Sequence, residues 1–189
     1  MQTVTRSILL ALAVSVAATA GPGDRVYSVV KDHSTLRYDV KHKLHEVSAE
    51  SHEMEGKALL KPDGTVQLMV RAPVASFRSG DGNRDEHMLE TMDAQAYPFV
   101  IYKGVAKIQP PASYPATLDV PITGELDFHG RKHPETVQLK VEMRSATDWH
   151  VTGGMSVSLD RYQIERPSLL LIKLEDECKI GLDLQLTGT

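Results

Sequence analysis

Ser79-Gly80-Asp81-Gly82-Asn83-Arg84-Asp85-Glu86-His87-Met88 gathers more chemistry than any other stretch of the chain. Glycines and small polar residues lead into a segment with helical spacing, on which Arg84, Met88 and Met92 fall one turn apart on a single face. A guanidinium can grip a phosphate or another polar head. Thioethers adapt to varied apolar shapes. The combination predicts the mouth of an apolar site, with Arg84 on a ligand's polar end and Met88 and Met92 as lining. The same residues also describe a plain capped helix closing a fold, with Asn83 as N-cap and Glu86 three positions on. Sequence alone leaves both readings open. Asp81 to Asp85 imitates the first half of a calcium loop, but Glu86 stands where the turn glycine is needed and Met92 where the bidentate Glu is needed.

A second cluster holds His42, His45 and His52 with Glu46, Glu53 and Glu55. Strand parity puts His42 in phase with an apolar row, His45 on the polar face and His52 in phase with Met54. His42 is therefore a hydrogen-bonded core histidine, a contact for a ligand's polar end, or a metal ligand that lacks an identifiable third partner. The single cysteine, Cys178, is inward-phased and suits a small core residue. One Cys excludes an internal disulfide and any C-x-x-C site. No G-x-S-x-G, H-E-x-x-H, P-loop or G-x-G-x-x-G pattern occurs. A hydrolase or isomerase would rest on His42 and His52, with no carboxylate in phase, so the chain is not expected to be an enzyme or to carry a cofactor.

The elements that position these residues alternate with period two. Leu36, Tyr38, Val40, His42 and Leu44 form one row. Further rows are Met54-Gly56-Ala58-Leu60, Val66-Leu68-Val70-Val74 and Leu118-Val120-Ile122-Leu126-Phe128. The last three are Val137-Leu139-Val141-Met143, Trp149-Val151-Met155-Val157-Leu159 and Cys178-Ile180-Leu182-Leu184-Leu186. Eight or nine such strands with short turns predict an all-β, antiparallel barrel or two-sheet sandwich. One-sided alternation excludes a parallel sheet. The helix is expected to end near Asp93 or Ala94. Leu169-Leu170-Leu171-Ile172 is either a plug packed on the barrel or a lid over a ligand mouth.

The chain has 189 residues, a net charge of −4 and 5% aromatic residues. That size fits one domain. The charge argues against a nucleic-acid footprint, and the few aromatics leave little for bases to stack on. Residues 1–20 hold one charge, Arg6, then an apolar run from Ile8 to Ala18 and Ala18-Thr19-Ala20 as an A-x-A cleavage pattern. This predicts a secretory signal peptide over 1–20 and a mature domain over 21–189 with no stable membrane anchor.

Asn83-Arg84-Asp85-Glu86-His87-Met88, with Tyr97-Pro98-Phe99 and Ile101-Tyr102-Lys103-Gly104 after it, resembles the N-R-D-x-H-[LM]... Y-P signature of YceI-like proteins. Val40-Lys41-His42, Glu55-Gly56 and Gly124-Glu125-Leu126-Asp127-Phe128-His129-Gly130 resemble that family's other motifs. The likeness spans about Val26 to Leu186. It departs at Arg131-Lys132, where a Val-Thr turn is usual, and at Ser48-Ala49-Glu50-Ser51, where a Gly is frequent. The resemblance implies a lipocalin-like antiparallel β-barrel of about eight strands with one short α-helix in a long loop. It also implies an exported, periplasmic or secreted protein that sequesters a polyisoprenoid, isoprenoid quinone or fatty-acid amphiphile. Tyr38, Val40, Phe99 and Leu126 then join Met88 and Met92 as apolar lining, with Arg84, Asn83, Asp85 and His42 at the polar end. The alternative is a ligand-free barrel serving as an interaction or stress-response module. A second copy of the chain is a candidate partner.

Overall fold

The computed structural model describes residues 21–42, 45–166, 168–169 and 172–189. In chain order the elements are β1 (Arg25–Val29), β2 (Thr35–His42), β3 (His45–Ser51), β4 (Glu55–Leu60), β5 (Thr65–Pro73) and α1 (Gly82–Thr91). They continue with β6 (Phe99–Lys107), β7 (Ala116–Phe128), β8 (Arg131–Met143), β9 (Asp148–Ser158), β10 (Ser168–Leu169), β11 (Ile172–Lys173) and β12 (Glu177–Gly188). Eight strands close a ring in the order β1-β4-β5-β6-β7-β8-β9-β12, with β12 returning to β1. Every neighbouring pair is antiparallel. The predicted barrel is therefore the fold, and the sandwich alternative falls. β10 and β11 pair only with each other.

The edge of β12 is shared between two strands. Leu186 to Gly188 pairs with β1, and Cys178 to Asp183 pairs with β2. β2 carries β3 as a hairpin, in a register that sets His42 opposite His45. The far edge of β3 is tied back through Glu50, whose N–H donates to Arg78 O at 3.0 Å while Arg78 N–H donates to Glu50 O at 2.8 Å. The segment from Val74 to Ser79 and then α1 thus cover the side of the barrel that β1 leaves.

Turn chemistry sets the register. At Pro62-Asp63-Gly64, Gly64 takes φ 82° and Asp63 Oδ1 accepts from the N–H of Thr65 at 2.9 Å. The β7–β8 hairpin turns on His129 and Gly130, with φ of 53° and 67°. Positive φ at both central residues matches the twist of the strands. The turn is two residues long, because Arg131 and Lys132 already pair with Phe128 and Asp127. Tyr97 packs its ring where a Cβ on Gly130 would sit, and it meets the His129 ring edge-on at 4.9 Å.

Aromatic pairs stand at the barrel's two ends. Tyr27 stacks on Trp149 at 3.9 Å, and the two bond Ala146 O and Ser145 O through Tyr27 Oη and Trp149 Nε1. At the helix end, Phe128 meets Tyr162 edge-on among Val157, Leu159 and Ile164. Between them, Gly104 faces Gly124 across β6 and β7, and a Cβ on Gly104 would lie 2.8 Å from Tyr102 Cε1. The Tyr102 ring therefore lies over Gly104, its hydroxyl donating to Ile122 O at 2.8 Å. That arrangement keeps its ring against the wall.

Three expectations are corrected. Asp81, not Asn83, caps α1: its Oδ1 accepts from Arg84 N–H at 3.1 Å, which places Asn83 inside the first turn. The helix ends at Thr91, and Asp93 turns the chain with φ 41°. His52 is exposed, because β3 ends at Ser51 and parity does not carry across the bend; its Nδ1 lies 3.0 Å from Ser34 O. Leu44 falls outside the described residues.

Gly130→Ala should destabilise the protein by about 1–3 kcal/mol, since it combines a left-handed backbone with displacement of Tyr97. Urea unfolding monitored by far-UV circular dichroism reads this as a lower midpoint with an unchanged slope.

Candidate functional site

Among the described residues, two cavities stand out within the barrel. The outer one, about 620 Å³, lies beneath α1 and opens past it. Its apolar wall includes Val40, Val74, Phe77, Met88, Met92 and Phe128. The inner one, about 130 Å³, lies deeper between the sheet walls and is lined by Leu68, Ile122, Leu126, Val137, Leu139 and their neighbours, with the stems of Lys57 and Arg71 at one side. The outer cavity alone has the size usual for a small-molecule site, about 300–1,000 Å³.

The helix delivers the polar rim. Asn83, Arg84 and His87 all face the outer cavity, joined by Asp81 and Glu165. Arg84 has a long ion pair to Asp81 Oδ2 at 3.8 Å, and His87 Nδ1 lies 3.3 Å from Glu90 Oε2. Asp85 has a different task. Its Oδ1 accepts from Ser79 Oγ at 2.6 Å and Ser79 N–H at 2.9 Å, so it ties the loop to the helix and does not line the cavity. The Ser79 hydroxyl bond holds its carboxyl below the ordinary value against the pull of desolvation.

Deeper polar groups are few. His42 is 6% exposed and lines the outer cavity. Tyr38 faces the same space and tilts against Phe77 at 5.5 Å. Burial pushes its phenol up to about 12. Cys178 is buried in the same wall, and burial pushes its thiol up to about 12. Among the described residues no group of three His, Cys, Asp or Glu is placed to hold a metal ion. The outward His150 bonds Asp183 Oδ1 through Nε2 at 2.7 Å.

Of the residues singled out from sequence, Tyr38, Val40, His42, Asn83, Arg84, Met88 and Met92 meet around the outer cavity, and Leu126 lines the inner one. Phe99 does not belong with them. It pairs with Pro73 at the start of β6, is 38% exposed and lies 5.1 Å beneath the Arg71 guanidinium. Alternation sends Val100 and Tyr102 into the lumen, so Phe99 must point out. Val74, read as inward in the β5 row, lines the outer cavity, as do Phe77, Ile164 and Leu174, which sit in segments that read as connections. The apolar pair in Val74-Ala75-Ser76-Phe77 was the available signal. The plug-or-lid question falls on Leu170 and Leu171, which lie outside the described residues, and on the side chains of Leu169 and Ile172, which do too.

A family model described as the YceI-like domain matches residues 27–186. The chain belongs to the YceI-like family. No curated protein matches it in sequence. Among solved structures, a polyisoprenoid-binding domain from Saccharophagus degradans aligns with a TM-score of 0.70 at 18% identity, covering 86% of this chain and 98% of that one. Burkholderia cenocepacia BcnA aligns with a TM-score of 0.66 at 19% identity, covering 83% and 98%. At such identities the likeness speaks for the fold alone.

Two outcomes follow from the site's electrostatics. Cys178 should resist a thiol reagent at mildly alkaline pH in the native protein and react at once in denaturant, because the thiolate is the nucleophile. Rapid native labelling would contradict its burial. The Asp85 tether should be complete above the ordinary carboxylate pKa of about 4 and be lost as pH falls through the lowered value. The protection of the Ser79 amide, its exchange rate relative to that of an unprotected amide at the same pH, should then fall on acidification in the wild type and be low throughout in Asp85→Ala.

Proposed function

We propose that this YceI-like protein is an exported carrier that holds one long apolar amphiphile, with its tail in the barrel and its polar end at the α1 rim. The observation that carries the reading is the unfilled lumen: a cavity of about 620 Å³ under a methionine-lined helix, backed by a second apolar space. Burying an aliphatic chain is favourable by about 0.8 kcal/mol per methylene, so the tail supplies affinity with few polar contacts. Arg84 and Asn83 suit the polar end, with His42 as a deeper contact. The Saccharophagus degradans relative is described as polyisoprenoid-binding, which agrees with a polyisoprenoid, isoprenoid quinone or fatty-acid amphiphile as ligand.

Residues 1–20 act in this reading as a signal peptide, and the mature chain from Gly21 works in the periplasm. Catalysis is not part of it. Tyr38 and Cys178, the buried hydroxyl and thiol of the cavity, stay protonated near neutral pH and are poor nucleophiles. An open interior also favours a carrier over a ligand-free module, which would need no such space.

The reading is tested with a fluorescent fatty amphiphile displaced by an isoprenoid quinone. The wild type should bind both. Met88→Trp, which fills the outer cavity, should weaken binding at least about tenfold, since it removes the burial of two or more methylenes. Arg84→Ala should weaken it by about fivefold or less, and only for ligands with a polar head. Failure of the wild type to bind either compound would sink the carrier.

A further inference from the structure

The outer and inner cavities share three wall residues, Leu36 on β2, Val100 on β6 and Ile180 on β12. In the closed ring, β6 and β12 stand on opposite sides, so Val100 and Ile180 face each other across the lumen, with Leu36 beside Ile180's strand. All three are only half-buried although they point inward. Residues with that combination have open space next to them inside the barrel.

The two spaces differ in kind. The outer cavity carries the polar groups, namely His42, Tyr38 and the rim. The inner one, beyond the three residues, has an almost wholly apolar wall, with Tyr102 and Trp149 among its aliphatic residues, and a volume of about 130 Å³. An apolar cavity of about 150 Å³ stays dry and accepts a benzene-sized guest. The inner space therefore takes the end of a tail and nothing larger, and a polar head there would lose its hydrogen bonds.

Resting on the carrier reading above, we infer that Leu36, Val100 and Ile180 form a collar through which only a flexible, slender tail end passes, so that the protein selects ligands by tail length and shape. The ligand class is a long-chain aliphatic amphiphile. A compact polycyclic amphiphile of similar volume stays in the outer cavity and gains nothing from the inner one. Affinity should rise by about fourfold for each methylene that enters the inner space, the equivalent of about 0.8 kcal/mol, and level off once that space is full.

The test uses the purified wild-type protein and a series of alkyl amphiphiles carrying a photoreactive diazirine at the tail end, from short to long. Peptide mapping by mass spectrometry locates each crosslink. Short probes should mark Met88 and Met92, and long probes should mark Val137 and Met143. Long probes that still mark only the outer residues would overturn the collar while leaving the carrier intact. Crosslinks at neither place would overturn the carrier itself and the collar with it. Val100→Phe, narrowing the collar, should return the long probes to Met88 and Met92. Because the wild-type mapping decides the matter alone, the inference stays exposed even if this variant fails to fold.

Discussion

An eight-stranded barrel is just wide enough either to be filled by its own side chains or to hold one modest ligand. Which of these occurs depends on the size of the inward residues, and here they are small. The middle of the wall presents Val66, Leu68, Val120, Ile122, Val137 and Leu139, while the large rings are kept to the ends. Tyr102, the ring nearest mid-barrel, is laid against Gly104 with its hydroxyl bonded to the wall. The unfilled lumen is thus a consequence of residue choice at a handful of inward positions.

Access to that lumen follows from the split edge of β12. Because β1 pairs with only its last residues and β2 takes the earlier ones, the wall flares on one side, and the hairpin, the Val74–Ser79 segment and α1 must cover it. The cover is held by local polar chemistry: Asp81 caps the helix, Asp85 grips Ser79, and Glu50 and Arg78 exchange backbone bonds. Such a lid keeps Arg84 and Met88 at the mouth while Met92 anchors it in the core. The opposite end is shut by Tyr27 and Trp149, so the barrel has a mouth and a floor.

Much of this was legible in the sequence, since period-two alternation is a direct record of which residues face a core. The rows through Tyr38, Val120, Val137 and Leu184 all point inward as read, and the helix face with Arg84, Met88 and Met92 looks onto the outer cavity. Errors arose where the period was interrupted. Parity carried past Ser51 misplaced His52, and Phe99 was grouped by its motif when its strand position sends it outward. Asn83 and Asp81 are both good caps, and only the hydrogen bond to Arg84 N–H decides between them. The existence of two cavities joined at Leu36, Val100 and Ile180 was not legible at all. It depends on which strands stand opposite each other in the closed ring, and alternation within a strand carries no information about that.

The central claim, that the apolar interior exists to hold a ligand, is tested most directly by native mass spectrometry of the protein exported by a bacterial host, followed by solvent extraction. The account predicts a discrete added mass that extracts as an apolar amphiphile. A bare protein mass, together with refusal of added quinones, prenyl phosphates and fatty amides, would contradict it.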